Sequence, residues 1–244
     1  MLTSPGLPMR QIPLDLGPVS MPGLDEFILE DGGQQALEWL RAWPSSTSQA
    51  RVPAAYFWGP SGSGKTHLLR AMVPRALAAG HHVMWVSAQG CQMWDADSPE
   101  APTLALIDDC ERLDGHLQHL AFNLFIESAS TGAEGAGPLS IIAAGSVPPV
   151  DLPVRDDLRT RLGWGLIFAL SPLSESGVRQ ALRDEASRRG IDLDDGVVSY
   201  LLVRYSRDLA FLAGLLDRLD RFALAEHRTV TVPLLKQMLV LETE

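Results

Sequence analysis

Within eight positions, Gly59-Pro60-Ser61-Gly62-Ser63-Gly64-Lys65-Thr66 brings together three glycines, an amine and a hydroxyl. Glycines at 59, 62 and 64 let the backbone curl until successive N–H groups converge, and converging N–H groups solvate phosphate oxygens. Lys65 has the reach and charge for the β- and γ-phosphates of a nucleotide, and the Thr66 hydroxyl is a ligand for Mg²⁺. An apolar run of strand length, Ala54–Trp58, precedes the loop, and a helical pattern over 65–79 follows it. The positive end of that helix would add to the anion site. This loop in this context is a strong signal for nucleotide binding.

A second acidic half is expected at the end of another buried strand. Thr103-Leu104-Ala105-Leu106-Ile107-Asp108-Asp109 supplies it. Asp108 is placed to hold Mg²⁺, often through water. Asp109 is the candidate to orient or deprotonate an attacking water, and its other reading is a cap on the next helix. Strands that end in acids at the carboxyl edge of an open sheet deliver them where ligands bind in such folds.

Other polar residues carry less. His116 and His119 share a helix face, but no carboxylate spacing completes a metal set, so both read as solvated or packed. His67 reads as packing on the loop's helix. Trp58, beside the loop, is the tryptophan best placed to report on a nucleotide. Cys110 reads as buried filler, since no histidine is arranged to activate it. With Cys91 it makes two reduced, mostly buried thiols, too few for a disulfide scaffold or a zinc site of the usual spacing.

The elements that must position these residues follow from apolar patterning. Strand-length runs stand at Ala54–Trp58, His82–Ser87, Thr103–Ile107, 139–144 and 166–170, with helical patterns at 65–79 and 117–128 between them. Continuous apolar strands separated by helices predict an α/β domain whose parallel sheet is covered on both faces. Pro74 should kink the first helix. After Ser171-Pro172 the spacing is helical at 174–189, 195–204, 207–226 and 233–241, apart from a short Thr-Val-Thr-Val at 229–232. Five prolines within the first 22 residues forbid a helix there. The expected organisation is therefore an extended tail (1–22), an α/β nucleotide-binding domain (23–170) and a small all-helical domain (171–244).

Composition limits the classes of function. With 244 residues, 46% hydrophobic and 20% charged, the chain is neither disordered nor a membrane span, and its start is not a secretory signal. A cytoplasmic protein is expected. A net charge of −10 argues against autonomous binding of duplex DNA, which normally needs a basic face. Lysine occurs only at 65 and 236 in a chain that otherwise uses arginine.

The phosphate loop, the strand ending in Asp108-Asp109 and the helical C-terminal third together resemble the AAA+ ATPases, and among them the bacterial replication initiator DnaA. The segment Asp157-Leu158-Arg159-Thr160-Arg161-Leu162-Gly163-Trp164-Gly165-Leu166 resembles the arginine-finger segment of DnaA, with Arg161 at the finger position. DnaA continues into a DNA-binding helix-turn-helix domain, whereas this sequence ends at Glu244. Gln11-Ile12-Pro13-Leu14-Asp15-Leu16 resembles the peptide with which proteins dock into the sliding clamp, the beta subunit of DNA polymerase III. There Gln11, Ile12, Leu14 and Leu16 would make the contacts, and a proline-stiffened segment loses little entropy on docking.

The combination implies a negative regulator of replication initiation. Nucleotide-bound and clamp-tethered, it would promote hydrolysis of ATP held by DnaA through Arg161 acting in trans. The ring symmetry of a clamp could gather several copies. Phe27, Ile28 and Leu29 would contact the base, by resemblance only. Two departures imply weak or absent intrinsic ATPase. Ala210 stands at the lid's sensor-arginine position, unless Arg207 takes it. The strand before the finger ends in Gly145-Ser146, where DnaA has an acid. The competing readings are a DnaA-related ATPase that loads a replicative helicase and a scaffold merely stabilised by nucleotide.

Overall fold

The computed structural model describes residues 23–24, 27, 33–44, 54–98, 101–130, 139–205 and 209–241. The expected clamp peptide (Gln11, Ile12, Leu14, Leu16), Ile28, Leu29 and Arg207 lie outside the described residues. The chain divides into two compact units, one of them Met21–Ser174 and the other containing Glu175–Glu244.

The larger unit is built on six strands: β1 (Ala54–Trp58), β2 (His82–Ser87), β3 (Gly90–Trp94), β4 (Thr103–Ile107), β5 (Leu139–Gly145) and β6 (Leu166–Ala169). Their order across the sheet is β3-β2-β4-β5-β1-β6. Every pair is parallel except β2 with β3, which is antiparallel from Val83 opposite Trp94 to Ser87 opposite Gly90. The sheet is therefore mixed rather than wholly parallel as expected. Gly90, at φ 119°, permits the tight reversal into β3. This edge strand is exposed along most of its length, so it lacks the apolar run that marks its neighbours.

Successive side chains of a strand point to opposite faces, and here both faces are buried. Ala55, Phe57, Leu104, Leu106, Ile142 and Ala144 pack on one side with α1 (Gln34–Ala42) and α2 (Lys65–Ala78). Tyr56, Ala105, Ile107, Ile141 and Ala143 pack on the other with α3 (Gly115–Ser130) and α4 (Asp156–Leu162). That two-sided burial is why the central strands read as continuous apolar runs. α2 continues through Pro74 to Ala78.

Register decides what the sheet presents. Trp58 lies opposite Gly145, and Ile107 opposite Ala143, so β1, β4 and β5 end together. The loop at 59–64, the acids at 108–109 and Ser146 consequently leave one edge of the sheet side by side.

The helical unit contains α5 (Glu175–Arg188), α6 (Asp195–Arg204), α7 (Leu209–Glu226) and α8 (Val232–Leu241). Asp194 caps α6 by accepting from the Gly196 N–H. Its core is aliphatic, with Val178, Leu182, Val198, Leu201, Leu212, Leu216, Leu219, Leu235 and Met238 among the buried residues. The 229–232 segment forms no strand, and its last valine opens α8.

Candidate functional site

Glycine is needed in the phosphate loop for two different reasons. Gly62 and Gly64 have φ of 79° and 88°, in the left-handed region that L side chains avoid. Gly59 has no such angle, but a Cβ there would stand 2.2 Å from the Leu170 carbonyl oxygen. A Cβ on Gly64 would also meet the Phe27 ring at 2.8 Å. Phe27 thus packs against the last glycine of the loop, with its ring centroid 5.1 Å from that of His67.

Lys65 is buried at 7% exposure, the first residue of α2. Its ammonium donates to the carbonyls of Gly59 at 2.7 Å and Pro60 at 2.9 Å, and to Ser63 Oγ at 3.4 Å. Burial holds its pKa below the ordinary lysine value, while Asp109, Glu111 and Asp108 work against that shift. The next residue links the two halves of the site, since Thr66 Oγ1 donates to Asp108 Oδ1 at 3.1 Å. The backbone N–H of Asp109 donates to the same oxygen at 3.1 Å. Burial raises the Asp108 pKa above the ordinary carboxylate value, opposed chiefly by the Thr66 hydrogen bond.

Asp109 takes a left-handed conformation (φ 47°) ahead of a single 3-10 turn, Cys110–Arg112, and its side chain makes no capping bond there. Instead its Oδ2 lies 3.5 Å from Arg112 Nη1. The turn brings in an acid that sequence reasoning missed. Glu111 Oε2 accepts the Ser146 N–H at 3.3 Å, just past the end of β5. Gly145 makes room for this arrangement: a Cβ there would collide with the Tyr56 hydroxyl at 2.1 Å and crowd Glu111 Oε2 at 3.1 Å. The Tyr56 hydroxyl donates to the Val147 carbonyl at 2.9 Å, tying β1 to the chain beyond β5. The one sequence signal for Glu111 was an acid three positions beyond Asp108.

The secondary candidates fall out plainly. Cys110 is fully buried, and burial pushes its thiol pKa up. Cys91 is exposed on β3, contrary to the expectation of two mostly buried thiols. Trp58 is half-buried at the end of β1. His116 and His119 are exposed, and His119 Nδ1 faces Arg155 Nη1 at 3.4 Å. Among the described residues no group of three or more His, Cys, Asp or Glu could hold a metal ion. Thr66 and Asp108 are residues whose oxygens could take a cation beside a phosphate. Ala210 is in α7.

Arg161 lies in the last turn of α4. Three arginines stand on or beside this short helix, and two are committed. Arg155 pairs with Asp157 at 2.6 Å, while Arg159 reaches Asp156 at 3.2 Å and the Val154 carbonyl at 2.9 Å. Arg161 has no carboxylate partner among the described residues. Its guanidinium carbon sits 3.9 Å from the ring centroid of Trp164 and 5.9 Å from that of Phe122. Trp164 is itself 65% exposed.

A mixed sheet with a phosphate loop after its first strand, an acid pair after β4 and a helical C-terminal unit defines the AAA+ class of P-loop proteins. The family model described as Hda, lid domain, matches residues 175–239. A Haemophilus influenzae protein (strain ATCC 51907 / DSM 11121 / KW20 / Rd), described only as uncharacterized, is 30% identical over 235 residues, 94% of this chain and 98% of that one. Domain III of the Thermotoga maritima replication initiation protein DnaA superposes with a TM-score of 0.68 at 18% identity, covering 89% of this chain and 95% of that one. AMPPCP-bound DnaA from Aquifex aeolicus gives a TM-score of 0.59 at 23% identity, covering 81% of this chain and 64% of that one. This chain therefore spans less than two thirds of that DnaA. The chain belongs to the Hda family of DnaA-related AAA+ proteins. Among its described residues no helix is long and apolar enough to cross a membrane.

Proposed function

We propose that this protein holds ADP and presents Arg161 to ATP bound by DnaA, promoting its hydrolysis and so restraining replication initiation. Residues 11–16 would tether it to the sliding clamp. The observation that carries the reading is the contrast along α4: Arg155 and Arg159 pair with neighbouring acids, while the half-buried Arg161 has no carboxylate partner among the described residues and lies over the exposed Trp164 ring. A guanidinium left in that state suits an anion that arrives with a partner.

The nucleotide of this chain itself would be held by the backbone of Gly59, Pro60, Ser61, Gly62, Ser63 and Gly64, with Lys65 turning from loop carbonyls to phosphate. Thr66 and Asp108 fit Mg²⁺, for their oxygens already lie 3.1 Å apart around a shared hydrogen bond. The ion would neutralise phosphate charge there. Turnover in this site is expected to be weak, because the carboxylate of Asp109 lies beside Arg112 and no acidic side chain follows β5 directly.

The deciding experiment follows radiolabelled ATP pre-bound to DnaA, with clamp loaded on DNA. A trans-acting finger is worth about 10³- to 10⁵-fold in rate. Wild type should accelerate conversion to ADP. Arg161→Ala and a chain lacking residues 1–17 should not, although both retain nucleotide. No acceleration by wild type sinks the reading and moves the helicase-loader class to first place.

A further inference from the structure

We propose that Trp164, aided by Phe122, is the positioning residue that keeps Arg161 ordered and yet electrically free for an incoming phosphate; this rests on the finger reading of Arg161. A long guanidinium side chain left in water samples many rotamers, and fixing one costs conformational entropy at the moment of use. An acid would fix it in advance, as Asp157 does for Arg155 and Asp156 for Arg159, but would cancel the charge a phosphate needs. An aromatic face fixes it without cancelling anything. The ring quadrupole attracts the cation, contributes no formal charge and leaves the guanidinium N–H groups free to donate. At 3.9 Å from its centroid, Trp164 is in stacking range, while Phe122 at 5.9 Å lies near the outer limit of such attraction.

The backbone holds this platform firmly. α4 ends at Leu162, and the Trp164 N–H donates to the Arg161 carbonyl at 3.1 Å, folding the chain back over the helix end. Gly165 then runs directly against the start of β1, where a Cβ would meet the Ala54 carbonyl oxygen at 2.2 Å. β6 begins at the next residue and is locked into the sheet by Ala55 opposite Leu166. Trp164 is thereby caught between a helix terminus and a paired strand. Phe122 comes from α3, which packs in the same apolar cluster as α4. Trp164 stays 65% exposed even with Arg161 stacked on it, so packing in a core does not explain a large ring at this point.

The test compares wild type, Arg161→Ala, Trp164→Phe, Trp164→Leu and Phe122→Leu in the stimulated hydrolysis of DnaA-bound ATP, titrating each protein to saturation. Nucleotide affinity, Tm and the NMR shifts of the Arg161 guanidinium are followed in parallel. Trp164→Leu should lower the saturated rate about 5- to 30-fold, the range a partly desolvated cation–π contact supports. The half-saturating concentration and Tm should barely move, and the upfield ring-current shift of Arg161 should vanish. Trp164→Phe should recover most of the rate, and Phe122→Leu should lose less than Trp164→Leu. If Trp164→Leu matches wild type at saturation, or changes only the half-saturating concentration, the positioning role is overturned while an inactive Arg161→Ala leaves the finger intact. If wild type fails to stimulate, or Arg161→Ala stimulates fully, both fall together.

Discussion

Burial works against the charges of Asp108 and Lys65 alike, and the fold tolerates both because each has hydrogen-bond partners. Asp108→Asn should therefore stabilise the nucleotide-free protein by roughly 1 kcal/mol, since asparagine can still accept from Thr66 and the Asp109 N–H without carrying a desolvated charge. The sign follows from the raised folded pKa. The penalty on wild type is complete above that pKa, where Asp108 is ionised, and disappears below the ordinary carboxylate value, where it is protonated in both states. Urea titrations across acid to neutral pH should show the advantage of Asp108→Asn shrinking as pH falls. The same variant should lose Mg²⁺-dependent nucleotide binding. Gly64→Ala meets both a left-handed φ and the Phe27 ring, whereas Gly80→Ala meets only a left-handed φ of 75°. Gly80→Ala should cost about 1 kcal/mol and Gly64→Ala clearly more, with Phe27→Leu recovering part of the difference in a double-mutant cycle. The loop residues were legible in the sequence because contiguous spacing fixes their geometry. Glu111 and Phe122 were not, because each acquires its place through contacts with distant segments, Ser146 and Arg161 respectively.

At the scale of elements, the apolar run in the sequence determined what could be read, for β6 has one although most of the strand is exposed. β1, β2, β4, β5 and β6 announced themselves as apolar runs, as did the helices with several turns of buried spacing. β3 is mostly exposed and carries no such run, so its antiparallel pairing with β2 escaped notice. α4 has seven residues and buries only Leu158 and Leu162, a single i, i+4 step from which no period can be drawn. Its charges were the better clue, with Asp156 and Asp157 in the first turn and Arg159 and Arg161 in the last, complementing the helix dipole. In the helical unit, α7 buries Leu212, Leu216 and Leu219 completely. Leu219→Ala should cost about 2–5 kcal/mol by urea unfolding, the usual range for a leucine cavity. Val203, 89% exposed on α6, provides the control: its alanine variant should stay within about 0.5 kcal/mol of wild type.

At the scale of the molecule, charge sets its manner with partners. A net charge of −10 repels duplex DNA, so the isolated chain should leave the anisotropy of a labelled duplex unchanged at about 0.15 M salt. Any recruitment to DNA would then have to come through a protein. The positive charge is also unusual in kind, for 20 basic residues include only the lysines at 65 and 236. Lys236 is exposed on α8, its ammonium 5.3 Å from the Tyr200 ring centroid, while Lys65 is enclosed by the carbonyls of its own loop. Besides the N-terminus, an acylating reagent therefore finds one amine at once and the other only when the loop lets go. The rate at which Lys65 is acylated, read against Lys236 as an internal clock, would measure how often the phosphate cradle opens.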